Sequence, residues 1–151
     1  FTERYYRSVS IVSERKGTFT DLTPEDIKGK RVGAQTGTLQ AEYLKSTYGD
    51  SITLITAPSY DEIFDKLKKG EVDVVLSDGL PGYSYMTSPE GEELETIGIP
   101  VETGSVVDFA CIALAKGNDK LRADINEAIQ SLRRPGEADR IRRKYFDLII
   151  Y

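Results

Sequence analysis

The sequence predicts an α/β protein built on a doubly wound, mostly parallel sheet, and three observations carry that reading. Between residues 31 and 97, segments of strand-like spacing alternate with segments of helical spacing. The run VDVVLSD (72–78) is apolar enough to be covered on both faces, as a central parallel strand is. The stretch GAQTGTLQ (33–40) ends a strand in Gly-Thr and opens a helix, and open α/β sheets seat ligands at such carboxyl ends.

Taken in order, SVSIVSE (8–14) reads as a strand, and TPED follows with Thr23 as helix cap and Pro24 at the first helical position. A short helical turn ended by Gly29 leads into the strand KRVGAQ. Beyond Gly37 the pattern is helical to about Tyr48, with Leu39, Tyr43 and Leu44 on one side, and ITLITA (52–57) is the next strand. Ser59 and Glu62 have capping-box spacing, and Tyr60, Ile63, Phe64 and Leu67 recur as one helical face. Glu62 with Lys66 and Asp65 with Lys69 are expected as i,i+4 pairs on the wet face. Gly70 ends that helix before VDVVLSD, after which come a short helix in GLPGYSYM, an exposed loop SPEGEE and the strand LETIGIP. VDFACIALAKG reads as a strand, and NDKLRADINEAIQSLRR as a helix with Leu121, Ile125, Ala128, Ile129 and Leu132 on one face. Pro135-Gly136 breaks it, and a last helix runs from Glu137 to Phe146.

Composition narrows the function classes. A chain of 151 residues forms one domain or two small lobes and buries about 68–70% of its unfolded surface. With 39% hydrophobic and 30% charged residues and a mean hydropathy of −0.37, it is an ordinary globular chain. No apolar run approaches the roughly 20 residues that span a bilayer, and FTERYYRSVS lacks the layout of a signal peptide, so none was needed or one has been removed. The net charge of −5 argues against a nucleic-acid or anionic-membrane partner, and the basic run RIRRKYF (140–146) reads as a solvated helix end. Histidine is absent, which removes the usual general base, the commonest metal ligand and the Ser-His and Cys-His nucleophile schemes. Cys111 is the only cysteine and reads as a small core residue. No metal and no cofactor is expected.

The helix start after Gly37 presents unpaired N–H groups at the positive end of a helix dipole, which suits a phosphate or a carboxylate. GAQTGT resembles the phosphate-binding turn of flavodoxins, an FMN-binding alternative. In that family, however, the turn follows the first, strongly apolar strand, whereas here some thirty residues precede it.

A second resemblance spans nearly the whole chain. FTERYY, SVSIVSERKG, DIKGKRVGAQTGT, YDEIFDKLKKGEVDVVLSD, CIALAKGNDKLRADINEAIQSL and IRRKYFD resemble, in this order, the amino-acid-binding solute receptors of ABC transporters, solute-binding protein family 3. The likeness is greatest to the lysine/arginine/ornithine and histidine type. It implies the periplasmic-binding-protein type II fold, two α/β lobes joined by hinge strands and closing on a free amino acid. Residues 17–107 would form the second lobe. Residues 1–16 would hold a remnant of lobe one with a hinge strand at SVSIVSE, and residues 108–151 the return strand FACIALA with C-terminal helices of lobe one.

A free amino acid needs donors for its carboxylate and a buried acid for its ammonium. The helix start at Gly37, Thr38 and Leu39 can supply the donors and Asp78 the acid. The resemblance assigns the Gly-Thr step to the α-carboxylate and the aspartate of the Ser-Asp pair to the α-ammonium, and implies that Gln35, Gln40 and Ser77 touch the ligand. No catalytic residue is expected. Thr38 and Asp78 also read as plain helix caps. Leu39 stands where relatives often carry a hydroxyl residue, so it offers only its N–H, and Cys111 stands where the family usually has glycine.

The family's first-lobe stretch, with a Ser/Thr pair and an arginine that clamp the carboxylate, has no counterpart in these residues. Exposed apolar surface, self-association or a missing first-lobe segment as partner is therefore expected. An ABC permease is the implied partner, and the implied location is periplasmic or extracellular. Two further alternatives are the ligand-sensing domain of a signalling receptor and a cyclohexadienyl dehydratase-like enzyme, for which no acid/base pair is in view.

Overall fold

The computed structural model describes residues 1–7, 9–18, 26–101, 103, 109–133 and 136–145. The chain divides into two compact units, Phe1–Ser8 with Val106–Tyr151, and Val9–Ser105.

The larger unit holds β2 (Ser10–Arg15), β3 (Arg31–Gln35), α1 (Leu39–Tyr48), β4 (Thr53–Ala57), α2 (Tyr60–Lys68), β5 (Val74–Asp78), α3 (Gly79–Met86) and β6 (Leu94–Val101). Its five strands lie in the order β4-β3-β5-β2-β6. β3 runs parallel to β4 and β5, as helical crossovers through α1 and α2 require. β2 is antiparallel to both β5 and β6, so α3 carries the chain across it to a β6 that runs with β5. The sheet is thus mostly parallel with one reversed strand. Within SVSIVSE, read from the sequence as a hinge strand, the strand from Ser10 onward is paired on both sides inside this sheet, and Ser8 lies outside the described residues.

Both faces are covered, which explains why Val74, Val75 and Leu76 are apolar in succession. Val32, Ala34, Val74 and Leu76 pack with Ala41 and Leu44 of α1 on one face. Val75 packs with Ile63, Phe64 and Leu67 of α2 on the other. The predicted face of α2 is realised, for Ile63, Phe64 and Leu67 are 0% exposed. Asp65 pairs with Lys69 at 3.0 Å as expected, whereas Lys66 reaches forward to Glu71 at 2.8 Å instead of back to Glu62. Ser59 Oγ accepts the Glu62 N–H at 3.2 Å, and the returning arm of the capping box meets the Ser59 hydroxyl, not its main-chain N–H. The loop SPEGEE contains a 3-10 turn at Pro89–Gly91. The cap at Thr23 and Pro24 lies outside the described residues.

The smaller unit pairs β1 (Arg4–Arg7), a strand not anticipated from spacing, with β7 (Phe109–Cys111) in an antiparallel ladder. It adds α4 (Asp119–Leu132) and α5 (Glu137–Arg142). β7 is shorter than the expected strand, whose residues 107 and 108 lie outside the described set, as do Pro135 and Phe146. Cys111 is half-buried. Of the apolar stripe on α4, Ile129 is buried, while Leu121 is 48% and Leu132 44% exposed.

Candidate functional site

The site is built at one edge of the larger sheet. β3, β4 and β5 end there at Gln35, Ala57 and Asp78, and the reversed β2 begins there, with Ser10 opposite Asp78. Neighbouring strands lie about 4.8 Å apart, so the ends of β3 and β5 and the start of β2 form one continuous rim.

Gly37 turns the chain from β3 into α1 with a φ of +74°, a conformation that glycine adopts without strain. Thr38 is the N-cap of α1: its Oγ1 accepts the Ala41 N–H at 3.3 Å and donates to the Gln35 carbonyl at 2.7 Å. Leu39 and Gln40 occupy the first two helical positions, where an N–H has no acceptor within the helix. These two donors and the helix dipole point out of the rim. The Leu39 side chain is 39% exposed, so this residue contributes its main chain. Gln40 is buried, and its amide donates to Ser10 Oγ at 2.9 Å. The Gln35 amide donates to the Pro58 carbonyl at 3.0 Å, fixing the β4–α2 turn beside the rim.

Asp78 is the N-cap of α3, with Oδ1 accepting the Leu80 N–H at 3.1 Å. By strand alternation it lies on the same face as Leu76, the face that carries α1. Its main-chain N–H is directed to the Tyr60 hydroxyl at 3.4 Å. Burial pushes the Tyr60 phenol above its ordinary value; the Asp78 N–H that it accepts opposes this and the Asp78 carboxylate adds to it. Tyr60 therefore stays protonated beside the acid. Ser77 is fully buried on the opposite face, where a Cβ on Gly82 would collide with its Oγ and come within 2.6 Å of Ile11. What Ser77 offers at the rim is main chain.

Gly37, Thr38, Leu39, Gln40 and Asp78 thus come together on one edge, and the structure adds Ser10 and Tyr60. Neither was singled out from the sequence as a site residue. Ser10 carried no signal beyond opening a strand, and Tyr60 was read as part of the α2 core face. Among the described residues there is no group of three or more His, Cys, Asp or Glu that could hold a metal ion, and no helix long and apolar enough to cross a membrane. An N–H cluster and a carboxylate on one rim can bind a zwitterion, one group for each charge.

Residues 1–148 match the family described as bacterial extracellular solute-binding proteins, family 3. The chain belongs to this family. It is 27% identical, over 154 residues, to a lysine/arginine/ornithine-binding periplasmic protein of Escherichia coli K12, covering all of this chain and 59% of that protein. A histidine-binding periplasmic protein of the same strain is 26% identical over 154 residues, again covering 59% of its length. An ancestral arginine-binding protein bound to arginine superposes with a TM-score of 0.72 at 26% identity, over 97% of this chain and 63% of that one. The fold is the mixed α/β, mostly parallel architecture of periplasmic-binding-protein type II structures. This chain spans about three fifths of the length of the relatives it matches.

Proposed function

We propose that this chain supplies one lobe, and part of the other, of a two-lobed receptor that binds a free polar or basic amino acid for uptake by an ABC transporter. The observation that carries the reading is the pairing, on one sheet edge, of the α1 start with Asp78. The N–H groups at Gly37, Thr38 and Leu39 receive the α-carboxylate and Asp78 the α-ammonium. Gln35, Gln40 and the main chain at Ser77 border the ligand side chain. In this reading residues 17–107 form the second lobe, residues 1–16 and 108–151 belong to the hinge and first lobe, and more of the first lobe covers the apolar stripe of α4. The partner is then a membrane permease and the location periplasmic or extracellular. The chain acts by binding, with N–H donors for the carboxylate and Asp78 for the ammonium on one rim.

Calorimetric titration of arginine, lysine, ornithine, histidine and glutamine into a two-lobed protein containing this chain tests the proposal. Saturable binding of at least one, lost on reversing the Asp78 charge with Asp78→Lys, is expected. No heat from any of the five would overturn it.

A further inference from the structure

Beyond Tyr60, α2 and α3 enclose an open groove of about 710 Å³, bordered by Tyr60, Asp61, Asp65, Tyr85 and Glu90 among others. Tyr60 and Tyr85 line it, and the buried Phe64 beneath them stacks on both, with centroids 6.3 Å from Tyr60 and 4.5 Å from Tyr85. Four of the five charged groups lining it are carboxylates, the fifth being Lys68. Lys68 shows what the groove holds, for its ammonium lies 5.5 Å from the Tyr85 ring centre and 3.4 Å from Asp65 Oδ1. Asp65 is also paired with Lys69, which leaves Asp61, Glu62 and Glu90 to set the sign of the groove. Glu90 is held below its ordinary value by its own main-chain N–H and the Ser88 hydroxyl.

A complementary surface exists on this same chain. Residues 9–105 carry seventeen Asp or Glu against nine Lys or Arg, while residues 1–8 with 106–151 carry eleven basic against eight acidic residues. The last turns of the described chain combine charge with apolar area: Ile141 is 38% and Tyr145 74% exposed, and Arg143 and Lys144 are exposed beside them. Among the described residues, Arg143 makes no ion pair, whereas Arg140 is held by Glu137.

We propose that the α2–α3 groove binds the basic segment Ile141–Tyr145 of a second copy of this chain, with Arg143 and Lys144 between the carboxylates and Tyr145 against Tyr60 and Tyr85. Such a contact is head-to-tail, so it builds larger assemblies or closed rings and not an isologous dimer. Its strength depends on charge pairing across partly exposed surfaces, so it weakens with salt.

Sedimentation velocity on the 151-residue chain, at low and high salt, tests this. Concentration-dependent association at low salt is expected, weakened about tenfold or more by the triple change Asp61→Asn, Glu62→Gln, Glu90→Gln and equally by Arg143→Glu with Lys144→Glu. Mixing the Arg143→Glu, Lys144→Glu chain with an Asp61→Lys, Glu90→Lys chain restores association between the two, which a misfolded variant could not do. The changes Glu42→Gln, Asp50→Asn and Glu93→Gln remove the same charge outside the groove and leave association intact. A strict monomer at all concentrations, association untouched by the groove changes, or equal loss in the control overturns the proposal. Because no amino acid is present, the outcome is independent of ligand binding at Asp78.

Discussion

The Tyr60 hydroxyl accepts the main-chain N–H of Asp78 at 3.4 Å, tying the first residue of α2 to the last of β5. The ring itself stacks on the fully buried Phe64. Tyr60→Phe keeps the stack and removes only the acceptor. Urea unfolding should show a loss of about 0.5–1.5 kcal/mol, the net worth of one hydrogen bond, with an unchanged m-value. A loss above about 3 kcal/mol would mean that the hydroxyl supports more than this contact.

Thr38 does its capping with one oxygen that also donates to Gln35. Thr38→Ala should cost about 1 kcal/mol, and Thr38→Ser much less, since serine caps as well as threonine. Thermal unfolding of the pair separates capping from any contribution of the methyl group.

Gly82 faces Ser77 Oγ and Ile11, both buried in the sheet beneath α3. A methyl group there forces α3 outwards or a buried side chain off its rotamer. Gly82→Ala is therefore expected to destabilise by about 1–3 kcal/mol, although alanine is the better helix former. A stabilised variant, read by chemical denaturation, would show that α3 has room to move.

Asp73 receives both the Arg31 main-chain N–H, at 2.8 Å, and its guanidinium, at 2.6 Å. The Arg31 side-chain hydrogen bond holds the Asp73 carboxyl below its ordinary value of 3.8, against a smaller opposing effect of burial. A depressed folded-state pKa contributes stability that is fully present above the unfolded value and disappears as pH falls through the folded one. The stability gap between wild type and Asp73→Asn should be constant near neutrality and close below the ordinary value. A gap that persists at the acid end would assign the effect to hydrogen bonding by the neutral side chain.

How far the sequence could be read follows from which signals are local. The caps Thr38 and Ser59, the α2 face and the alternation around β5 rest on neighbours three or four residues away, and they were legible. The direction of β2 was not, because SIVSER has the same pattern whichever way it enters a sheet. β1 escaped for a related reason: RYYR alternates no apolar residues, and its partner β7 is more than a hundred positions away. Ser10 and Tyr60 join the candidate site through pairings of 30 and 18 residues' separation, which no local spacing encodes. The exposed stripe on α4 shows the converse, since Leu121 and Leu132 repeat with helical period whether or not anything covers them.

Asp78 separates capping from ligand binding most sharply. Its Oδ1 caps α3 through the Leu80 N–H at 3.1 Å, a task that asparagine performs as well as aspartate. Asp78→Asn should therefore leave the unfolding midpoint within about 0.5 kcal/mol of wild type. If the carboxylate also faces the ammonium of an amino acid in a closed, two-lobed receptor, the same change strands a desolvated positive charge without its partner. Truncating one member of such a pair costs about 2–5 kcal/mol, so affinity should fall about 30-fold or more. Calorimetric titration of wild type and Asp78→Asn in the two-lobed protein reads the difference directly. A change under about threefold, less than about 1 kcal/mol, would leave Asp78 as a helix cap and place the ammonium site elsewhere on the rim.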